Sequence, residues 1–171
     1  MDFRLNEEQR QVRDMVREFA QRDVAPHIQE WDQKAEYHPE VLYKMGELGI
    51  LGIPVPERYG GGGFDYVSFA LACEELEAVD TFLRVVMSVH TGLNSLTLHQ
   101  WATEEQKERW LKPQAEGKKL ATFGLTEPGA GTDAGNIQTR AVKDGDSYIL
   151  NGEKAWISLA NTADHMLVFA T

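Results

Sequence analysis

The chain has a single cysteine and lacks any long apolar run among its 171 residues. With only Cys73 it cannot form an internal disulfide, and the apolar neighbours of this residue favour a buried helix position over a reactive thiol. No stretch approaches the roughly 20 apolar residues that cross a bilayer, so we expect no membrane span. The first eight residues lack the apolar core of a secretory signal. We therefore expect a reducing, aqueous compartment: the cytoplasm, or the mitochondrial matrix if a transit peptide was removed.

Basic residues are the minority among the charged ones, with 17 Lys and Arg against 27 Asp and Glu and a net charge of −10. Nucleic-acid binding relies on basic patches, so this balance argues against a nucleic-acid partner. The hydrophobic content of 42% and the charged content of 26% are those of a globular protein with a sizeable core. The length fits one domain or two small ones.

Several motifs of metal binding and catalysis are absent. The five histidines show no metal-ligand spacing with cysteine or carboxylate, so no metal site is expected. No Gly-x-Ser-x-Gly sequence is present to supply a serine nucleophile. The run Gly60–Gly63 precedes a predicted helix, as a phosphate cradle would, but it lacks a nearby lysine and is better interpreted as a connector. Gly129–Gly131 follows a predicted strand, without the long helix of a Rossmann site.

The first two-thirds of the sequence predicts helices separated by glycine and proline. Asn6 and Gln9 have the spacing of a capping box, and apolar side chains then recur at helical intervals until Pro26 interrupts the pattern. Residues 50–64 contain two prolines and four consecutive glycines and cannot form a helix. The other helices are predicted to begin near Pro39 (ending at Gly49), near Asp65, at Asp80 or Thr81, and at Thr103 (ending near Gly117).

From about residue 119 the apolar period changes from helical spacing to the alternation of strands. Asp144-Gly145 and Asn151-Gly152 are pairs typical of tight hairpin turns. The predicted fold class is α+β, with an all-helical N-terminal domain at 1–118 and the first part of an antiparallel β-domain at 119–171. We expect a meander without a parallel β-α-β unit, with strands near 120–125, 138–143, 147–150, 154–158 and 166–170.

The apolar strand predicted at 166–170 lies at the end of the chain. A sheet that stopped there would have an open edge, which natural proteins usually cover or charge. We therefore expect the chain to be part of a longer protein.

The segment 123–135 has the composition of a cofactor-binding loop. The hydroxyls of Thr126 and Thr132 can bond ring heteroatoms or phosphate, and three glycines let backbone N–H groups approach closely. Trp156 can supply an aromatic wall for a planar cofactor. Pro-Gly and Thr-Asp are also ordinary turn formers, so a bare connector is the alternative interpretation, and a lone tryptophan is more often part of a core. The joint occurrence of the loop, the turn pairs and the tryptophan favours a cofactor site.

These segments also carry a resemblance. Leu125–Asp133 (LTEPGAGTD) followed by Asn151–Ser158 (NGEKAWIS) resembles the FAD-dependent acyl-CoA dehydrogenase family. Leu5–Gln9 (LNEEQ) and Leu48–Gly61 (LGILGIPVPERYGG) are similar to the family's opening and interhelical segments, so the resemblance covers essentially the whole chain. Family members have an N-terminal helical domain, a middle β-domain and a C-terminal four-helix domain. The resemblance implies that this chain supplies the first domain and about half of the second.

The resemblance implies FAD-binding roles for residues of the loop. Positions Phe123, Leu125 and Thr126 are expected to contact the pyrimidine side of the flavin. Gly131 and Thr132 are expected to border the pyrophosphate and the acyl-CoA. Thr132 is therefore also the substrate-binding candidate.

The second motif implies contacts to the flavin ring. Trp156 is expected to pack against its face, with Ile157 in the same cofactor-binding segment, and Ser158 to place a hydroxyl near N5. Many relatives have Thr at position 158, and Ser keeps the donor but loses the methyl that restricts its rotamer. The family's catalytic base is a glutamate of the C-terminal helical domain, so no catalytic residue is assigned within 1–171. Glu127 is close to the motif, but its place in a turn favours a structural role.

The implied function is α,β-dehydrogenation of an acyl-CoA thioester to a 2-enoyl-CoA in fatty acid metabolism. A carboxylate takes the α proton while hydride leaves the β carbon for FAD, and an electron-transfer flavoprotein receives the electrons. Similar enzymes are homotetramers. Two alternatives remain open: an oxygen-using relative, such as an acyl-CoA oxidase or flavin monooxygenase, and a non-catalytic binding module.

Overall fold

The computed structural model describes residues 4–35 and 38–171. Positions 1–3, 36 and 37 lie outside the described residues. All five belong to the predicted helical domain, 1–118, and the first three also belong to the eight N-terminal residues that lack the apolar core of a secretory signal. The α-helices are α1 (Glu7–Phe19), α2 (Ile28–Lys34), α3 (Pro39–Glu47), α4 (Tyr66–Glu77), α5 (Thr81–Val86), α6 (Leu96–Trp101), α7 (Glu104–Gln106) and α8 (Lys112–Ala115).

Three of these helices continue directly into wider π-helical turns. The segment Ala20–Val24 extends α1, Met87–Ser95 joins α5 to α6, and Lys107–Leu111 joins α7 to α8. Short 3₁₀ turns occur at Ile50–Gly52, Glu57–Tyr59 and Ala134–Asn136. π-Helical turns are uncommon and often occur at functional positions, and the segment Met87–Ser95 is nine residues long.

The helix starts follow the capping residues of the sequence. The Asn6 side chain accepts from the Gln9 N–H at 2.8 Å, and the Gln9 side chain accepts from the Asn6 N–H at 3.0 Å, which confirms the predicted capping box. Asp65 caps α4 in the same way, accepting from the Ser68 N–H at 2.8 Å. The Gln9 amide also donates to Asp65 at 2.7 Å, so the caps of two packed helices are joined. Asp80 caps α5, as one of the two predicted alternatives.

Proline and glycine set the bounds near the start of the chain. The helical path of α1 ends at Val24, just before Pro26, and the short helix α2 that follows has no counterpart in the sequence-based prediction. Pro39 occupies the first turn of α3, and Gly49 takes a left-handed φ of +75° just beyond it. α3 ends at Glu47, two residues before the predicted end at Gly49, and Leu48 just beyond it is 38% exposed.

The four glycines from Gly60 to Gly63 connect two helices, as predicted. The N–H groups of Gly62 and Gly63 donate to the carbonyls of Gly52 and Val55 at 3.0 and 2.9 Å. A Cβ at Gly61 would lie 2.1 Å from the Val55 carbonyl oxygen, so only glycine permits this close return of the chain. The glycine N–H groups are therefore used within the protein rather than offered to a phosphate.

The core lies among the helices. The buried faces of α1, α3 and α4 pack with the 3₁₀ turn at Ile50–Gly52 and with the start of the β region. Burying aliphatic and aromatic side chains of this size stabilises the fold by about 1.5–3 kcal/mol each. The largest apolar side chains in it that are fully buried are Phe19, Leu42, Met45, Ile50, Leu51, Ile53, Leu76, Met87 and Leu120.

Four strands follow the helices: β1 (Ala121–Gly124), β2 (Arg140–Asp144), β3 (Ser147–Asn151) and β4 (His165–Val168). The α+β class is confirmed, and four of the five predicted strands are present with bounds shifted by at most two residues. β2 and β3 form an antiparallel hairpin whose two turn residues are Gly145 and Asp146. The predicted turn pair Asp144-Gly145 is thus displaced by one residue, and Gly145 supplies the positive φ of +59°.

The predicted meander is wrong in two respects. The segment 154–158 is not a strand, because Trp156 and Leu159 adopt left-handed φ values of +60° and +63°. Asn151-Gly152 is therefore not a hairpin turn. In addition, β1 and β4 pair in parallel, from Ala121 opposite His165 to Gly124 opposite Val168. The chain between them contains the β2–β3 hairpin, so this parallel pair is not a β-α-β unit.

The start of the parallel pair is fixed by Asp164. Its carboxylate accepts from the Leu120 N–H at 2.9 Å and from the Lys119 ammonium at 2.6 Å, and its own N–H donates to the Leu120 carbonyl at 2.8 Å. Beyond β4, the Thr171 N–H donates to the Thr139 carbonyl at 2.9 Å, which joins this pair to the hairpin. In the described ranges, every helix is too short or too polar to cross a membrane.

Candidate functional site

The end of β1 and the segment 154–158 lie side by side. The Ala155 N–H donates to the Thr126 carbonyl at 2.9 Å, and the Lys154 ammonium donates to the Leu125 carbonyl at 3.0 Å. The structure therefore brings together two groups of sequence-predicted residues that are about thirty positions apart. These are Phe123, Leu125 and Thr126 on one side and Trp156, Ile157 and Ser158 on the other.

Glu127 links three parts of the site through its carboxylate. It accepts from the Lys154 ammonium at 2.7 Å, from the Gln138 N–H at 2.5 Å, and from both the N–H (2.9 Å) and the hydroxyl (2.5 Å) of Thr139. The residue is only 6% exposed. A buried charge needs such partners, and here the loop, the residues just before β2 and the segment 154–158 are all bound to one side chain.

The charge of Glu127 is strongly stabilised. The Lys154 ammonium first, and then the Thr139 hydroxyl and the Gln138 N–H, lower the pKa of the Glu127 carboxyl to about 2. A group with so low a pKa is a poor proton acceptor near neutral pH, since an efficient general base has a pKa close to the working pH. The predicted structural role of Glu127 agrees with this arrangement.

Trp156 is presented to solvent by a left-handed backbone. Its side chain is 93% exposed, and its φ of +60° is uncommon for a bulky residue. Such a conformation costs roughly 1–3 kcal/mol and persists only where the surrounding contacts impose it. An exposed indole on a constrained backbone is suited to packing against a planar ligand.

The segment is also held beyond Trp156. The Thr122 hydroxyl donates to the Ser158 carbonyl, and Leu159, which follows in a left-handed conformation, is buried. Ile157 and Ser158 are half-buried. The backbone around Trp156 is therefore anchored at Lys154, Ala155 and Ser158.

The inner strand β1 rests on the π-helical segment Met87–Ser95. The Asn94 amide donates to the Thr122 carbonyl at 2.6 Å, and the Ala121 N–H donates to His90 Nδ1 at 3.0 Å. Gln114 completes this buried network by donating to the Asn94 side-chain oxygen at 3.1 Å and accepting from the Ser95 hydroxyl at 2.7 Å. The wider π-helical turn aims several polar side chains at the strand and at Gln114.

His90 is neutral in this network. Its Nδ1 accepts from a backbone N–H, and its Nε2 lies 3.3 Å from the Gln114 carbonyl, which requires the proton on Nε2. Burial lowers the pKa of His90 to about 4. The histidine therefore acts as a fixed hydrogen-bonding bridge between a helix and β1.

The loop beyond Glu127 makes a tight turn and then opens to solvent. The backbones of Glu127 and Ala130 exchange two hydrogen bonds of 3.0 and 3.1 Å. Gly131 and Thr132 are exposed, and a Cβ placed on Gly131 would meet no atom within 4 Å. Neither residue takes part in the hydrogen bonds between the loop and segment 154–158. The structure thus leaves room for a ligand at Gly131 and Thr132.

Phe123 is half-buried and its ring contacts that of Phe169, with centroids 4.9 Å apart. The Phe169 N–H donates to the Gly124 carbonyl at 3.0 Å, which keeps the two aromatic residues adjacent. Sequence reasoning assigned no role to Phe169, Thr122 or Thr139. Nothing local in the sequence singles them out, since their contacts depend on pairings 12 to 46 positions apart.

A well-formed cavity lies apart from these residues. It has a volume of about 530 Å³ and lies between α6, the helical turns that follow and β4, with Leu98, Trp101, Trp110 and His165 in its wall. None of the sequence-predicted site residues lines it. Among residues 4–35 and 38–171, no three His, Cys, Asp or Glu side chains are grouped to hold a metal ion.

Comparisons with known proteins agree with this architecture. Residues 6–118 match the family model for the acyl-CoA dehydrogenase N-terminal domain, and residues 122–171 match the model for its middle domain. A probable acyl-CoA dehydrogenase of Bacillus subtilis, YngJ, is 46% identical over 99% of this chain and 45% of its own length. A short-chain specific acyl-CoA dehydrogenase of Clostridium acetobutylicum is 45% identical over the same shares.

Solved structures show the same fold. A chain in a structure concerning the electron transferring flavoprotein of Acidaminococcus fermentans superposes with a TM-score of 0.97 at 46% identity, over 99% of this chain and 45% of that one. A glutaryl-CoA dehydrogenase of Mycobacterium smegmatis in complex with FADH2 gives 0.93 at 38% identity, over 98% and 43%. The chain belongs to the acyl-CoA dehydrogenase family, and it spans less than half the length of these relatives.

Proposed function

We propose that this chain binds FAD and serves the α,β-dehydrogenation of an acyl-CoA thioester to a 2-enoyl-CoA in fatty acid metabolism. The observation that carries the proposal is the convergence of Phe123–Thr126 with a segment that presents Trp156, almost fully exposed, on a left-handed backbone. Family membership supports it, as does the FADH2 in the related glutaryl-CoA dehydrogenase.

The residues present fit a flavin nucleotide. The Trp156 indole offers a face for the flavin ring, and Ile157 lies next to it in the chain. The Ser158 hydroxyl would lie near the flavin N5. The pyrimidine side of the ring would be contacted by Phe123, Leu125 and Thr126. Gly131 and Thr132 would border the pyrophosphate, because both are exposed and the space beside Gly131 is open. When bound, FAD would supply the acceptor for the hydride that leaves the β carbon.

The catalytic base is proposed to lie outside residues 1–171. Glu127 lies within the site, but its low pKa and its four hydrogen-bond donors make it unsuited to removing an α proton. No catalytic residue is therefore assigned in this chain. Thr132, exposed on the loop, is the proposed contact to the acyl-CoA.

Further proposals concern organisation. We propose two domains, 1–118 and 119–171, because the chain changes from helices to strands between Ala115 and Ala121.

The related chain in the Acidaminococcus structure supports an electron-transfer flavoprotein as partner. A homotetramer is proposed by analogy with the family. The reducing compartment expected from the single cysteine supports the cytoplasm, or the mitochondrial matrix after loss of a transit peptide.

The test uses the complete protein purified with its flavin. We expect a yellow protein whose flavin absorbance is bleached anaerobically by an acyl-CoA and is unaffected by a CoA thioester without a β hydrogen. Electron transfer to an electron-transfer flavoprotein, with little peroxide formed in air, identifies a dehydrogenase. Rapid peroxide formation would indicate the oxygen-using alternative. A protein that binds no FAD would contradict the proposal and favour a non-catalytic module.

A further inference from the structure

The two flavin-facing segments are joined at one buried ion pair. The Lys154 ammonium lies 2.7 Å from Glu127 Oε1 and 3.0 Å from the Leu125 carbonyl oxygen. The side chains of Lys154 and Glu127 are 11% and 5% exposed. Most other ion pairs of the described residues have at least one partner that is well exposed, so this pair is unusual in its burial.

The pair is held by more than its own attraction. Three donors besides Lys154 satisfy the Glu127 carboxylate, and they come from Gln138 and Thr139, just before β2. Thr139 in turn packs against the exit of β3, because a Cβ at Gly152 would lie 2.3 Å from the Thr139 hydroxyl oxygen. The chain that leads from Gly152 to Lys154 is therefore fixed in position before it reaches Trp156.

Trp156 cannot be located by its own side-chain packing, since that side chain is 93% exposed. Its position depends on the backbone on either side. Before it, Lys154 is bound to Glu127 and Ala155 to Thr126; after it, the Ser158 carbonyl accepts from Thr122. Of these attachments, the Lys154–Glu127 pair is the one that joins two charged groups.

We propose that Glu127 and Lys154 form a positioning pair for the flavin site. The pair sets the register of Trp156–Ser158 against Phe123–Thr126 and maintains the left-handed backbone at Trp156. It acts on the cofactor through those segments and does not itself contact it. This inference rests on the proposed function, because it assigns the pair a role in the same FAD site.

The test compares variants of the complete flavoprotein. Lys154→Met removes the ammonium but leaves three donors on Glu127, so we expect the fold to be retained. Glu127→Gln removes the charge and one of the two acceptor oxygens, and it leaves the buried Lys154 ammonium without a countercharge, which is the more disruptive change. Glu153→Gln is the matched control, because Glu153 is the exposed carboxylate next to Lys154.

FAD affinity is measured by titrating each apoprotein, and the bound flavin is examined by its absorption spectrum and its reduction potential. We expect Lys154→Met to weaken FAD binding by roughly tenfold or more, by analogy with the loss of a supporting contact at metal sites, and to shift the flavin bands. Lys154→Arg should recover much of the affinity. The double variant Lys154→Met/Glu127→Gln should lose less than the sum of the two single losses.

A Lys154→Met protein that is less thermostable but binds FAD with wild-type affinity, spectrum and potential would overturn the inference, since the pair would then be structural only. If Met at this position prevents folding, Lys154→Gln, which retains a donor, is judged by the same readouts. Failure of the proposed function is recognised separately: in that case the wild-type protein itself does not bind FAD, or binds it with no dependence on Trp156.

Discussion

The Thr122 hydroxyl donates a hydrogen bond to the backbone carbonyl of Ser158, while the Thr122 carbonyl accepts from the buried amide of Asn94 at 2.6 Å. One residue of β1 thus connects the π-helical segment Met87–Ser95 to the segment proposed to face the flavin. The helical part of the chain contributes to the site in this way without supplying a predicted flavin contact.

Replacing Thr122 by Val should disturb the site, because valine has nearly the same shape but cannot donate to the Ser158 carbonyl. We expect a loss of about 1–3 kcal/mol in the free energy of unfolding, as for other hydrogen bonds whose buried partner is left unsatisfied. The flavin spectrum should change as well. Denaturant unfolding and absorption spectroscopy measure the two effects. Thr122→Ser, which keeps the hydroxyl, should change both less; equal effects of the two variants would show that the hydroxyl is not responsible.

The lowered pKa of His90 predicts that the protein loses stability in acid. The pKa of His90 is lowered to about 4 in the folded protein, whereas an unfolded histidine has a pKa near 6.5. Between these values the unfolded chain binds the proton and the folded one does not, so stability falls as pH decreases from about 6.5 to 4 and is unaffected by this group above 6.5. The full contribution is on the order of 3 kcal/mol.

The measurement for His90 is the free energy of unfolding as a function of pH. His90→Gln should be destabilised at neutral pH and should show a shallower decline between pH 6.5 and 4. His27→Gln, a change at an exposed histidine, should keep the wild-type slope. An unchanged slope in His90→Gln would assign the acid sensitivity to other groups.

The substitution Gly131→Ala should weaken FAD binding while leaving the stability of the fold nearly unchanged. A Cβ at this position meets no atom within 4 Å, and its φ is not left-handed, so unfolding should change by no more than about 0.5 kcal/mol. The added methyl would occupy the space proposed for the pyrophosphate, so FAD affinity should fall. Gly129→Ala, in equally open space but outside the proposed contact set, is the comparison for titration of the apoprotein. Equal affinities of the two variants would remove Gly131 from the site.

Local chemistry made much of the helical part predictable. Asn6, Asp65, Asp80 and Thr103 cap helices as their sequence context indicates, because a cap needs only residues two or three positions away. The Gly60–Gly63 connector was predictable for the same reason. These features depend on the backbone preferences of a few adjacent residues.

The β region was less predictable because its contacts are distant in sequence. The parallel pairing of β1 with β4 depends on Asp164 binding Leu120, which no local pattern reveals. The alternation of residues across 154–158 predicted a strand, but the left-handed Trp156 prevents it. The sequence motif was enough to predict the residues on both sides of the site. The supporting contacts of Thr122 and Thr139 could be identified only in the structure.

The most direct test of the flavin site is FAD binding by the complete protein after Trp156→Ala. Trp101→Ala is the matched control, because Trp101 is also highly exposed, at 76%, but lies on α6. Both apoproteins are titrated with FAD, and the absorption spectrum of the bound flavin is recorded. The proposed site predicts weaker binding or a shifted spectrum for Trp156→Ala and wild-type values for Trp101→Ala. Unchanged affinity and spectrum in Trp156→Ala would contradict the placement of the flavin against this segment.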